Sequence, residues 1–424
     1  MDKTTEAIAV ILFLLAASFL AVFMQQGVQA AFSGDDWSMF HGDPSHSGVA
    51  TSNPVLTPTL IWKYTAGNSI VSSPAISGGV VYIGSDDKNL CALNATNGNK
   101  IWNFSIGGIV SGGVIPPTVA SSPAIANGVV YIGSLDHNVY AVDASNGKKL
   151  WSYPTGGLII SSPTVVNGVV YIGSHDSNVY ALNGTTGDKI WNYITPFWVG
   201  SSPAVVNGVV YLGSWLGDIY ALDASSGNKL WNYTTNGNEL VSSPAVVNGV
   251  VCVGSSGYYP SYQGSLYALN ASTGEQIWNY TTDGSVMSSP SISDSIVYVG
   301  SFDGNLYAFN ASNGDKLWNY TVGGSILSSP AINNGTVYIG GENAVYALSV
   351  NGTKLWSYTT DNYVGSSPAI ANGVLYIAGG NIVYAFRSSS QTSPAIDLLV
   401  ISIVIVMVVV ILIAIIIFKK RRSS

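Results

Sequence analysis

Charge is scarce in this 424-residue chain: 9% of its residues are Asp, Glu, Lys or Arg, and it has two cysteines and four histidines. Each scarcity removes a class of explanation. Helices with a solvated polar face draw on charged residues throughout, so a helix-rich globular protein does not fit. Two cysteines cannot make a disulfide framework, and four scattered histidines offer no zinc-ligand spacing. Fifteen basic residues against twenty-two acidic ones leave no stripe to neutralise phosphates, which excludes nucleic acid as a partner. No Gly-rich phosphate loop and no nucleophile-base signature is present. What is plentiful is glycine, at 47 residues, with serine, asparagine, valine and tyrosine, the mixture of short strands and tight turns. The chain reads as all-β.

Long apolar runs occur only near the two ends. Ala7 to Phe23 is apolar and is followed by small residues, Val28 and Ala30, ahead of Ala31. This pattern predicts a secretory signal over residues 1–30. Leu398 to Phe418 is apolar but for Ser402, long enough to cross a hydrocarbon layer as a helix, and "KKRR" follows directly. Basic residues stay cytoplasmic, so residues 398–418 are expected to span a membrane with the 419–424 tail inside and everything before them outside. Residues 388–397 form a polar tether.

Between these ends the phrase Ser-Ser-Pro recurs, with its proline at 74, 123, 163, 203, 244, 290, 330 and 368. Each copy continues with an apolar run, Asn-Gly or an equivalent, "VVYIGS", a polar turn, "VYALDA", a glycine turn and "KLWNY". Asn-Gly between β-rich runs is a strong hairpin signal, so each repeat predicts four strands. Repeats of about 40 residues with four strands each build a β-propeller. The last repeat stops at "NIVYAFR" without its fourth strand, and the spare one, "LIWKYT" at Leu60 to Thr65, stands ahead of the first repeat. It is expected to complete the eighth blade and close the ring, giving an eight-bladed propeller over 60–387 after a lead-in over 31–59.

"GSLDHNVYAVDASNGKKLW", Gly133 to Trp151, resembles the repeat of pyrroloquinoline quinone (PQQ)-like propellers, and the resemblance extends from Trp37 to Phe386. It includes "DDWSMFHGDPSHSG", which is similar to the lead-in of secreted members. The resemblance implies that Trp62, Trp102, Trp151, Trp191, Trp231, Trp278, Trp318 and Trp356 dock neighbouring blades. It does not fix a function, because such propellers include quinone-dependent dehydrogenases, the lipoprotein that scaffolds outer-membrane barrel assembly, and binding proteins.

The dehydrogenases so implied hold calcium with carboxylate and amide side chains, use an aspartate base and often carry adjacent cysteines. Here Cys91 and Cys252 each replace a repeat tyrosine in opposite blades and read as buried thiols. Asp143 and Asp223 share one repeat position with Asn94, Asn183, Asn270 and Asn310, as expected of side chains that cap their own turn. Asp86, Asp136, Asp176 and Asp303 recur in another turn, and His137 and His175 are placed in equivalent turns of adjacent blades. A residue that returns in blade after blade is structural. No cofactor and no metal site is therefore expected, PQQ with calcium included. His41 and His46 belong to the lead-in and are expected to seat it.

Function is better sought where the repeat breaks. Insertions at 105–120 and 255–265, with the turns around 195–200, 215 and 360–365, fall on one face by strand alternation. That face carries Phe197, Trp198, Trp215, Tyr258, Tyr259, Tyr262 and Tyr363, aromatic groups suited to a sugar ring or a partner's apolar surface, or to covering the rim. Asn-x-Ser/Thr at Asn94, Asn103, Asn183, Asn232, Asn270, Asn279, Asn310, Asn319, Asn334 and Asn351 offers glycan acceptors in a secreted chain. The expectation is a membrane-anchored, extracytoplasmic, non-enzymatic propeller binding a protein or glycan at the cell surface. A PQQ-dependent dehydrogenase and a structural envelope component are the alternatives.

Overall fold

The structure, a computed structural model, describes residues 36–106, 121–235, 242–257 and 262–389. The expected signal, membrane span and basic tail lie outside them, as do residues 390–397 of the expected tether, residues 107–120 of the first insertion, Tyr258 and Tyr259; Ser388, expected to open the tether, instead ends the last strand, paired with Pro58. Among the described residues no helix is long and apolar enough to cross a membrane.

Eight four-stranded antiparallel sheets form the blades, and their inner strands neighbour one another in chain order until the eighth meets the first. Blade 4 is typical, with an inner strand Ala204–Val206, then Val209–Gly213, Asp218–Asp223 and an outer strand Lys229–Thr234. Its first hairpin turns at Asn207 and Gly208, with φ of 50° and 77°. Positive φ at both central residues is the type I′ geometry that matches strand twist, and it is why Asn-Gly recurs there. In each outer strand the pairing skips one residue, Leu230 in blade 4, which stands 53% exposed on the circumference. Such bulges twist an edge strand away from edge-to-edge pairing.

The two serines of Ser-Ser-Pro divide the work of holding the ring. The first stays within its blade: Ser201 Oγ accepts from the Gly213 amide at 2.8 Å. The second reaches sideways. The amides of Ser73, Ser122, Ser162, Ser202, Ser243, Ser289 and Ser329 each donate to the hydroxyl of the corresponding serine in the next blade, at 2.9–3.1 Å. Ser367 then donates to Ser73 at 3.0 Å and closes an eight-membered circle. Proline after these serines has no N–H to leave unpaired.

Farther out, each tryptophan reaches the neighbouring blade. Trp191 Nε1 donates to the Ala224 carbonyl at 3.0 Å, and its ring lies where a Cβ on Gly227 would come within 2.7 Å. The same contact repeats from Trp62 to Ala95 and from Trp278 to Ala311. The apolar core is accordingly sandwiched between blades, as where Leu266 and Trp278 of blade 5 meet Val297 and Phe309 of blade 6.

Blade 8 closes as expected. Its outer strand Pro58–Thr65 pairs antiparallel with Ile382–Ser388.

The lead-in does more than precede the ring. Inner strands leave one edge unpaired, and the lead-in carbonyls accept from it around the channel: Ile125 donates to Ser38, Val205 to Pro44, Val246 to Ser45, Ile292 to Ser47 and Ile332 to Gly48, at 2.7–3.0 Å. Trp37 bridges Ile76 in both directions, and Val49–Ala50 pairs parallel with blade 7's inner strand. The strap therefore fills the channel on the side of the Asn-Gly hairpins. His41 and His46 are buried within it. His46 Nδ1 donates to the Pro244 carbonyl at 3.0 Å, and its Nε2 lies 3.3 Å from Thr164 Oγ1. Burial lowers the His41 pKa to about 3 and that of His46 to about 4.

Candidate functional site

One end of the ring carries the Asn-Gly and Gly-Lys hairpins, here the turn end. The other carries the connections between blades and between second and third strands, here the loop end. The aromatic positions that depart from the repeat lie at the loop end, and blades 3 and 4 bring three of them together.

Val199 is the anchor of this arrangement. It is fully buried, and its amide donates to Ser174 at 3.1 Å. A Cβ on Gly173 would lie 2.4 Å from Val199 Cγ1, so only glycine admits the valine there. With Val199 pinned, Trp198 turns outward and remains 44% exposed. The Trp215 amide donates to the Trp198 carbonyl at 2.8 Å, locking the two loops together. Phe197 lies 5.1 Å from Trp198, centroid to centroid, and Trp215 meets it edge-on at 6.1 Å. His175 stacks flat against the Trp198 indole at 5.3 Å, with 4° between the rings.

His175 was not among the expected aromatic set. Its signal lies in the residue after "GS", which is Asp86, Leu135, His175, Trp215, Ser256 and Phe302 in successive copies and so varies where its neighbours repeat. His137 is not its equivalent; it occupies the left-handed turn position, φ 71°, taken by Lys88 and Ser177 in adjacent blades. Burial lowers the His175 pKa against the opposing charge of Asp176, and Nε2 is buried without a hydrogen-bond partner. The ring is thus a neutral platform supporting the indole.

The recurring aspartates also need one correction. Asp136, Asp176 and Asp303 accept from the Tyr140, Tyr180 and Tyr307 hydroxyls at 2.6–2.8 Å. In blade 1 their place is taken by Asp87, which accepts from the Asn89 and Gly67 amides, whereas Asp86 lies one residue earlier. Burial alone would raise the Asp176 pKa, but hydrogen bonds from Tyr180, Gly156 and Asn178 outweigh it and lower the value. These carboxylates are committed to their turns.

Tyr262 and Tyr363 belong to other blades. Tyr363, 40% exposed, donates its hydroxyl to the Ser325 carbonyl at 3.0 Å; it stands in blade 8 where Trp198 stands in blade 4, on the opposite side of the ring. Tyr262 is 54% exposed in blade 5. Among the sequons, Asn103, Asn232, Asn279 and Asn319 lie exposed on outer strands and Asn351 on an exposed turn. Asn94, Asn183, Asn270 and Asn310 turn Oδ1 onto amides of their own turns. Asn334 Nδ2 donates to the Ser52 carbonyl at 2.7 Å, pinning the lead-in. Cys91 and Cys252 are both free and buried.

Among the described residues no three His, Cys, Asp or Glu side chains gather where they could hold a metal ion. The channel is lined by serines and filled from the turn end by the lead-in.

The chain matches the family model described as outer membrane protein assembly factor BamB over residues 56–108, 109–259 and 256–329. Among solved structures it is similar to BamB from Moraxella catarrhalis, at TM-score 0.65 and 18% identity, covering 78% of this chain and 100% of that one. It is also similar to a europium-containing methanol dehydrogenase (TM-score 0.70, 14% identity, 83% of this chain and 98% of that one). A third is the quinohemoprotein alcohol dehydrogenase from Comamonas testosteroni (TM-score 0.70, 16% identity, 84% and 81%). Identities this low speak to the fold alone. No curated protein matches the chain.

Proposed function

Since the chain belongs to the family of the outer membrane protein assembly factor BamB, we propose that it is a non-enzymatic propeller that binds a protein or glycan through its loop end, on the extracytoplasmic side of a membrane to which residues 398–418 anchor it. The observation that carries this reading is the aromatic corner of Phe197, Trp198 and Trp215. It is a rigid, partly exposed apolar site on loops the ring does not need for closure, and partly desolvated tryptophans are frequent anchors of binding energy. The carboxylates nearby, Asp176 and Asp218, already accept hydrogen bonds from Tyr180, Gly156, Tyr220 and Thr234.

The test sets the two chemistries side by side. Full-length protein is purified from its native membrane and supplied with quinone and calcium, then assayed for dye reduction across an alcohol and aldose panel. In parallel, a photocrosslinker is placed at Phe197 in intact cells, with Leu150 on the circumference as a control position. The binding reading expects crosslinks from 197, none from 150 and no dye reduction. Quinone-dependent turnover would establish a dehydrogenase instead.

A further inference from the structure

Resting on the binding reading above, we propose that the corner receives a basic segment of a partner protein: an apolar side chain seats against Trp198 and Trp215 while flanking lysines or arginines meet the acidic loop end.

The anchor is apolar. Leu216, next to Trp215 in the chain, stands 45% exposed, and Ile194, which ends the outer strand of blade 3 ahead of Phe197, 70%. A sugar ring would need hydrogen-bonding groups converging on the platform, but Asp176 is held by Tyr180 and Gly156, and His175 Nε2 is covered.

The flanking charge follows from how the blades sort their ionic residues. Six outer strands open at the turn end with Lys100, Lys149, Lys189, Lys229, Lys316 or Lys354. There, acidic residues in the same hairpins, such as Asp188 and Asp315, balance them. The loop end carries Asp87, Asp136, Asp176, Asp218, Asp303 and Asp361, and among the described residues its only lysines are Lys88 and Lys63. Lys63 is already paired with Asp361 at 3.1 Å. The ring is therefore polarised along its axis, with the aromatic corner on the negative end. A field of that sign draws in a cationic partner, repels an anionic lipid surface and weakens with salt.

The path of the chain agrees. Ile382–Ser388 runs toward the turn end, and Asp36 is held there by Ser77 and Gly78. Asp36 and Ser388 thus both lie at the end of the ring remote from the corner.

Two measurements test this occupant. First, the segment crosslinked to position 197 is identified by mass spectrometry. The proposal expects a stretch containing several lysines or arginines beside a leucine, isoleucine or aromatic residue. An acidic or uncharged stretch overturns it while leaving the binding reading intact; capture from neither 197 nor any other loop-end position counts against the binding reading itself. Second, a synthetic peptide alternating lysine with leucine is titrated onto the full chain in detergent, alongside its glutamate counterpart. The lysine peptide is expected to bind roughly tenfold tighter or more, with the advantage lost in about 0.5 M salt. Trp198→Ala should weaken it, and Leu230→Ala should not. Equal binding of the two peptides, or a lysine preference indifferent to Trp198→Ala, overturns the proposal.

Discussion

Trp356 Nε1 donates to the Val55 carbonyl at 2.7 Å, so the last complete blade docks onto the lead-in where the other seven tryptophans dock onto the next blade's hairpin. Val55 stands in for a turn that blade 8 lacks because its outer strand comes from the other end of the chain. Its amide is also used, donating to Tyr338 Oη at 2.7 Å. Trp356→Ala should therefore cost about 3–5 kcal/mol, as for a buried aromatic, measured by denaturant unfolding. Deleting residues 36–57 should do more, exposing the inner-strand edges and promoting aggregation seen by light scattering. A truncated protein that stays monomeric with unchanged melting would contradict this.

The serine circle makes a second prediction. Ser202→Ala removes the acceptor of the Ser162 amide, which is buried at the channel. The expected loss is about 1–3 kcal/mol. Ser145→Ala, in an exposed hairpin, should change stability by less than about 0.5 kcal/mol.

Acid should loosen the strap. His41 and His46 are held neutral by burial, with pKa values lowered to about 3 and about 4 from 6.5. The unfolded chain therefore takes up protons first as pH falls. Stability is complete above about pH 6.5 and is lost progressively toward pH 4, on the order of 2 kcal/mol per histidine by pH 5. Asp43 lies near His46 and offsets part of this. Unfolding free energies between pH 7 and 5 should show the slope, and a His41→Phe, His46→Phe double variant should flatten it.

Topology gives a fourth. If residues 398–418 span the membrane, protease added to intact cells should reach the propeller or its tether and spare the "KKRR" tail, and truncation before Leu398 should release a secreted, soluble propeller. The reverse pattern of protection would place the ring on the cytoplasmic side.

The blades were legible because every copy meets the same demands: a left-handed turn at Asn207-Gly208, a serine for the next amide, an indole for the next hairpin. Repetition made each demand visible eight times. The path of the lead-in was not legible, since it is held mainly by its own carbonyls, which no side chain announces. Two faint marks existed. Inner strands have alanine after the proline except at Thr164 in blade 3 and Ser291 in blade 6, and those two hydroxyls face His46 and His41. At the loop end, Phe197, Trp198 and Trp215 stood out as breaks in the repeat. His175 was grouped with His137 instead, because two histidines in neighbouring turns look alike until backbone conformation separates them.

The central claim, that the loop end is where a partner docks, is tested most directly by a Trp198→Ala, Trp215→Ala double variant expressed at native level. The measurement is the amount of crosslinked partner recovered with it, alongside its melting temperature. Trp198 is exposed on a loop anchored by Val199, Trp215 is partly exposed, and the bonds that hold the two loops are made by backbone groups, so melting should change little while recovery falls roughly tenfold or more. Full recovery at unchanged stability would contradict the claim and move the binding site away from this corner.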